Sequence, residues 1–194
     1  SPGHVAVSNG TLFFSGRDEE HGQELWKSDG TADGTMLVKD INPGDEWSVT
    51  FNLTDVDGTL FFVANDGTHG QELWKSDGTA AGTLMVNDIT AGPTSTVIQG
   101  PVGFVAVNNT LFFVATNKQS GFELWKSDGT AAGTGLVKDI RSGSSSSTPE
   151  GLTNVNGTLY FSAYTDLHDR ELWKSDGTAN GTVRLTNVIW GSGR

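Results

Sequence analysis

Cysteine is absent from the 194 residues, so neither a disulfide nor thiol chemistry is available to this chain. Positive charge is in short supply. Lys and Arg number 12 against 23 Asp and Glu, and the formal net charge of −11 repels phosphate backbones, so nucleic acid is not an expected partner. No apolar run reaches the ~18 residues that a membrane-crossing helix needs, and membrane insertion is not expected. The opening Ser1-Pro2-Gly3-His4 has neither the charged nor the apolar part of a signal peptide, so a leader is expected to have been removed or never present. Helical signals are missing as well. No window repeats apolar residues at 3.6-residue spacing, and glycine interrupts each long segment. A P-loop, a nucleophile elbow and an HExxH motif are also lacking.

What the chain does have is repetition. Glu24-Leu25-Trp26-Lys27-Ser28-Asp29-Gly30-Thr31 returns unchanged from Glu72, from Glu123 and from Glu171, at intervals of 48, 51 and 48 residues. Each octapeptide sits in the same four-part frame. A short segment (His4 to Val7 in the first copy) leads into a turn, Asn9-Gly10, Asp57-Gly58, Asn108-Asn109 or Asn156-Gly157. Such pairs tolerate positive φ and mark β-hairpins. Thr11-Leu12-Phe13-Phe14 and its equivalents follow, with strand-forming aromatic and β-branched content. A variable polar loop leads to the Glu-Leu-Trp-Lys strand, and a second turn, Asp29 to Thr35, leads to a fourth strand spanning Met36 to Ile41. The other copies of that strand are Leu84 to Ile89, Gly135 to Ile140 and Val183 to Val188.

Each unit therefore reads as a four-stranded antiparallel meander. Leu12, Phe13 and Phe14 are adjacent, so a strand carries apolar groups to both faces, and sheets apolar on both faces must stack on one another. Four-stranded repeats of this length are what propeller blades look like. The reading is all-β: a single propeller domain over residues 1–194, with blades near 1–47, 48–98, 99–147 and 148–194. Three closures stay open: a four-bladed ring, half of an eight-bladed ring formed by two chains, or an excerpt of a longer array.

The octapeptide, with the following Gly34-Thr35 and Lys39-Asp40-Ile41 and the preceding His69-Gly70-Gln71, resembles the bacterial ELWxxDGT repeat proteins. The resemblance covers all four repeats. It implies a secreted or cell-surface protein of propeller type with no defined enzymatic activity. The Ser-Asp-Gly-Thr turn is similar, more loosely, to the structural Asp box of sialidase propellers. The fourth copy departs from the pattern, with Asp169-Arg170 for Gly-Gln and Asn187-Val188 for Asp-Ile.

Comparing the copies separates scaffold from what differs. The loops between second and third strands and the blade-to-blade connectors vary, and in a meander they emerge at one rim, opposite the invariant turns. Binding residues concentrate on loops held by rigid scaffolds, so a ligand is expected at the variable rim. Trp47, Trp190, Asp18, Asp66, Asp166 and Tyr164 are the candidate contacts. Trp26, Trp74, Trp125 and Trp173 are read as inter-blade packing, each indole N–H satisfied by a neighbour. Asp29, Asp77, Asp128 and Asp176 suit Asx-type turns; calcium there is the lesser alternative, since the spaced ligands of an EF-hand are missing. His21, His69 and His168 share one repeat position and are read as local hydrogen-bonders. No catalytic residue, metal or cofactor is assigned. The expected function is a non-enzymatic binding module for a glycan or a surface protein; a self-assembling structural repeat is the alternative, and a glycosidase ranks last because no acid and nucleophile pair can be named.

Overall fold

The computed structural model describes residues 3–48, 51–93, 95–96, 103–117, 119–165 and 169–185. These form sixteen strands and no helix. Blade 1 comprises β1 (Gly3–Ser8), β2 (Thr11–Arg17), β3 (Gln23–Ser28) and β4 (Met36–Lys39). Blade 2 comprises β5 (Phe51–Val56), β6 (Thr59–Asn65), β7 (Gln71–Ser76) and β8 (Leu84–Asn87). Blade 3 holds β9 (Val105–Val107), β10 (Thr110–Ala115), β11 (Glu123–Ser127) and β12 (Gly135–Lys138). Blade 4 holds β13 (Glu150–Val155), β14 (Thr158–Tyr164), β15 (Arg170–Ser175) and β16 (Val183–Arg184). Each blade is one sheet with its strands in sequence order, all pairs antiparallel.

Local chemistry sets these boundaries. Asn9-Gly10, Asp57-Gly58 and Asn156-Gly157 all have positive φ, the conformation that a tight hairpin between twisted strands demands. The fourth strands of blades 1, 2 and 3 stop two residues earlier than the sequence pattern predicts, and the expected end of the fourth in blade 4, Val188, lies outside the described residues. In blade 1 the N–H groups of Ile41 and Asn42 leave the ladder and donate to the Glu24 carboxylate, at 3.1 Å each. A one-residue irregularity in the pairing of β3 with β4 passes over Val38, which stays buried.

The chain divides into two compact units, one built on blades 1 and 2 and the other on blades 3 and 4. In the first, Phe13, Leu25, Val38 and Ile41 of blade 1 form one core with Leu60, Phe62, Ala64 and Trp74 of blade 2. In the second, Phe112, Leu124, Val137 and Ile140 of blade 3 pack with Leu159, Phe161, Ala163 and Trp173 of blade 4. The two lists occupy the same repeat positions. One blade face therefore covers the next blade's opposite face, which is why three adjacent residues of the second strand are apolar or aromatic.

Polar bonds frame each seam. Lys39 Nζ donates to the Thr83 carbonyl at 2.8 Å and lies 5.8 Å from the Trp74 ring centre; Lys138 does the same to Thr182 and Trp173, at the same two distances. The tryptophans correct one expectation. Trp74, Trp125 and Trp173 are buried and Trp26 is half-buried, yet no indole N–H among the four has an acceptor in the described residues.

Candidate functional site

The repeated carboxylates lie within the scaffold. Glu24, Glu72, Glu123 and Glu171 are buried. Glu72 accepts the N–H of Ile89 at 3.2 Å and of Thr96 at 3.1 Å; Glu123 accepts those of Ile140 and Ser147 at 3.1 and 2.9 Å. Each thus ties its strand to the end of the fourth strand and to the connector toward the next blade. Burial without a counter-ion disfavours the charged form. It pushes Glu24 up to about 7 and raises Glu72 and Glu123 as well, against the lowering effect of the hydrogen bonds they accept.

The Asp-Gly-Thr turns are closed hydrogen-bond systems. Asp29 Oδ1 accepts from the Thr31 N–H at 2.9 Å and from its hydroxyl at 2.7 Å, and the Thr31 hydroxyl accepts the Gly34 N–H at 2.9 Å. The same bonds recur at Asp77 and Asp176. The threonine hydroxyl and N–H hold all three carboxyls below their usual range. A side chain at Gly34 would put its Cβ 1.9 Å from Asp29 Oδ1, which accounts for the second glycine of the repeat. Among the described residues no cluster of three or more His, Cys, Asp or Glu is arranged to hold a metal ion.

Beside these turns lies a cleft of about 330 Å³ between blades 1 and 2, lined by Asn9, Lys27, Asp29, Met36, Gly58 and Asp77 among others. It opens at the rim opposite the one that sequence reasoning favours. Its polar ends are committed: Lys27 Nζ donates to the Gly78 carbonyl at 2.8 Å and Asn9 Nδ2 to Gly58 at 2.9 Å. A hollow of about 300 Å³ on blade 3, beside Thr110, Lys126 and Asp128, uses the positions equivalent to Thr11, Lys27 and Asp29. A shape that recurs with the repeat belongs to the turn.

The variable rim is different. The connector after blade 1 crosses Gly22, where a Cβ would meet the Glu46 carbonyl oxygen at 2.2 Å. Ser48 anchors its far end, donating through both N–H and hydroxyl to the Gln23 carbonyl and accepting the Asn65 N–H at 2.9 Å. Held between these points, Trp47 stays 48% exposed. Its carbonyl accepts from Asn42 Nδ2 at 3.3 Å, and the Arg17 guanidinium lies 5.5 Å from its ring centre. Asn42 Oδ1 would in turn stand 2.6 Å from a Cβ on Gly67, so the neighbouring loop of blade 2 packs close to this connector.

Asp18 and Asp66 serve their own loops. Asp18 Oδ1 accepts the N–H groups of Glu20 and His21, and its Oδ2 meets His21 Nδ1 at 2.8 Å. Asp66 and His69 repeat this, the ring contact being 2.7 Å. The ring hydrogen bonds raise His21 and His69 and lower Asp18; at Asp66, burial pushes upward but the His69 N–H and ring prevail and the carboxyl is lowered. In the third loop Asn117 caps Ser120 in the same way.

In the second unit, Tyr164 is exposed with the Arg170 guanidinium 4.3 Å from its ring centre, and Arg170 pairs with Glu150 at 3.0 Å. The structure thus gives each unit an arginine against an exposed aromatic. Sequence reasoning named both aromatics and neither arginine; Arg170, one of the departures of the fourth repeat, was the available signal. Asp166, His168 and Trp190 lie outside the described residues.

No family model matches the chain, and no curated protein matches it. Solved structures do. Puromycin hydrolase aligns over 95% of this chain and 29% of its own, with a TM-score of 0.58 at 15% identity. A prolyl endopeptidase aligns over 93% of this chain and 25% of its own, with a TM-score of 0.57 at 9% identity. A Bacteroides ovatus protein, xyloglucan PUL GH43B, aligns over 96% and 40% with a TM-score of 0.43 at 15% identity. The chain spans less than a third of the length of the first two. At such identities the likeness concerns the fold, an all-β propeller built of four-stranded antiparallel blades.

Proposed function

We propose that this chain is a non-enzymatic binding module, secreted or at the cell surface, whose variable rim contacts a glycan. The observation that carries the reading is Trp47, a half-exposed indole on an anchored connector with the Arg17 guanidinium beside it. An indole offers a flat apolar platform for a sugar face, and a guanidinium offers five N–H donors for hydroxyl groups. The connector is pinned to the blade at Gly22 and Ser48, the kind of support on which binding loops depend.

The absence of enzymatic activity is part of the proposal. An acid and base pair needs carboxyls in differing environments that reach the substrate. The carboxyls raised by burial, Glu24, Glu72 and Glu123, instead accept backbone N–H groups inside the blades. The secreted or surface location rests on the likeness to ELWxxDGT repeats.

A surface protein as partner is the second reading. Arg17 with Trp47 and Arg170 with Tyr164 are residue types that anchor protein interfaces. A glycan array probed with the chain and with Trp47→Ala separates the two. The glycan reading predicts retention of one sugar class, weakened about tenfold or more in the variant, the loss of roughly 1.4 kcal/mol. Retention of no sugar would eliminate it and leave the protein reading. Equal retention by the variant would remove Trp47 from the site.

A further inference from the structure

The formal net charge of −11 lies wholly in residues 1–97, because residues 98–194 hold equal numbers of acidic and basic side chains. The two compact units therefore differ in what they attract, the first being strongly acidic and the second balanced.

Part of that charge surrounds Trp47. The loop from Arg17 to Gln23 and the connector from Asp45 to Ser48 touch along their backbones. A Cβ on Gly22 would stand 2.2 Å from the Glu46 carbonyl oxygen and 2.8 Å from that of Asp45, and the Ser48 N–H donates to the Gln23 carbonyl at 3.1 Å. These two segments carry Glu19, Glu20, Asp45 and Glu46, all exposed. The ion pairs among the described residues involve none of the four. Arg17 is the cation of the two segments, and its guanidinium lies at the indole. Lys27 and Lys39 are spent elsewhere, on the Gly78 and Thr83 carbonyls in the invariant turn of blade 2.

Blade 3 supplies the comparison. Its connector crosses Gly121 as that of blade 1 crosses Gly22, with a Cβ there 2.4 Å from the Ser145 carbonyl oxygen. The Ser147 carbonyl accepts the Tyr164 N–H just as that of Ser48 accepts the Asn65 N–H. Yet at the repeat positions of Glu19, Glu20, Asp45, Glu46 and Trp47, blade 3 has Lys118, Gln119, Ser144, Ser145 and Ser146. The crossing thus requires neither the aromatic nor the carboxylates. Blade 1 has both together, and keeps four like charges in one place against their mutual repulsion.

We propose, on the premise that Trp47 is the glycan platform, that the glycan is cationic: a chain of hexosamine units with free amino groups. The indole takes the face of one ring, and Glu19, Glu20, Asp45 and Glu46 attract the ammonium groups of that ring and its neighbours. Arg17 offsets one of the four charges and leaves the surface acidic. An N-acetylated chain loses this attraction, and a uronic-acid chain meets repulsion.

The test is isothermal titration of the 194-residue chain with a glucosamine hexamer in mildly acidic buffer, where its amines carry protons. The N-acetylated hexamer, a galacturonate hexamer and a lysine hexapeptide are titrated beside it. The variants are Trp47→Ala and a quadruple neutral one, combining Glu19→Gln, Glu20→Gln, Asp45→Asn and Glu46→Gln. All four positions are exposed, and blade 3 has no carboxylate at any of them, so this variant keeps the β-sheet circular dichroism of the parent. The glucosamine hexamer is expected to bind about tenfold or more tighter than the other two sugars. It should weaken about tenfold or more in either variant, and weaken again at ~0.5 M salt, which screens exposed charges. The N-acetylated hexamer bound as tightly, with Trp47→Ala still costly, would overturn the cationic class and leave the platform standing. Glucosamine binding that Trp47→Ala does not weaken would remove the platform and overturn both. A lysine hexapeptide bound as tightly as the sugar, or no binding of the glucosamine hexamer, would overturn the proposal.

Discussion

Glu123 on β11 accepts the Ser147 N–H at 2.9 Å and its hydroxyl as well, so a buried carboxylate holds the connector behind blade 3. The bond joins residues 24 positions apart and fixes where the next blade begins. Glu24 and Glu72 hold the fourth-strand ends of their own blades in the same way.

Removing this carboxylate leaves the N–H groups of Ile140 and Ser147 buried without an acceptor. Glu123→Ala is expected to lose about 2–4 kcal/mol of unfolding free energy in urea, given roughly 1–3 kcal/mol for each orphaned buried group and partial relaxation. Glu123→Gln keeps one of the two acceptor oxygens, so one N–H stays satisfied and the other faces an amide NH2; it is expected to cost about 1–3 kcal/mol, less than Glu123→Ala. Equal losses for the two variants would contradict the acceptor role.

Stability is expected to rise on mild acidification. Glu24 has its folded value near 7 against an ordinary 4.5, so between those values the folded chain holds more protons than the unfolded one, and stability falls as pH rises through that window. His21 and His69 are raised above 6.5, and their contribution is full below 6.5 and lost as pH climbs through their folded values. Asp29, Asp77 and Asp176 act oppositely, losing their contribution as pH falls below 3.8. The urea midpoint should therefore be higher at pH 5 than at pH 8, and Glu24→Gln should flatten that difference. A midpoint that falls steadily from pH 8 to pH 5 would refute this reading.

The two kinds of tryptophan should separate cleanly. Trp74→Ala empties a buried site and is expected to cost about 3–5 kcal/mol. Trp47→Ala removes a half-exposed ring with one cation–π contact and is expected to cost under ~1 kcal/mol. Thermal or urea unfolding of both variants measures the contrast, and similar costs would break the division into scaffold and rim.

Gly22 couples fold to rim. It has φ of +62°, and a Cβ there would strike the backbone of the connector that carries Trp47. Gly22→Ala is expected to cost about 2–5 kcal/mol, from left-handed strain of ~1–2 kcal/mol and overpacking of ~1–3 kcal/mol. It should also raise hydrogen exchange at Trp47 and Ser48 while leaving blade 3 unchanged. An exchange pattern identical to that of the parent would show that the connector is held some other way.

Much of this was legible in the sequence because the signals were local. Asn9-Gly10 announces a hairpin, and the adjacent Leu60, Phe61 and Phe62 announce a sheet covered on both faces; the structure has both, although the equivalent Leu12 of blade 1 is exposed. The gaps come from contacts distant along the chain. The glycine at position 22 recurs in the sequence, but only coordinates show the connector from Asp45 and Glu46 pressing on it. Glu24 recurs once per blade, which points to a structural part, but its N–H partners 17 and 18 positions away show only in the coordinates. The indole N–H groups went the other way: polarity suggested a partner, and the described residues provide none. Asp18 and Asp66 looked available for a ligand, yet their oxygens already serve His21 and His69.

The direct test of the rim as the contact surface is a titration of indole N–H resonances in the labelled chain with the glycan retained on the array. Trp47 is expected to shift, while Trp74 and Trp125, buried within the blades, hold their positions. Movement of the buried indoles with Trp47 unmoved would contradict the account.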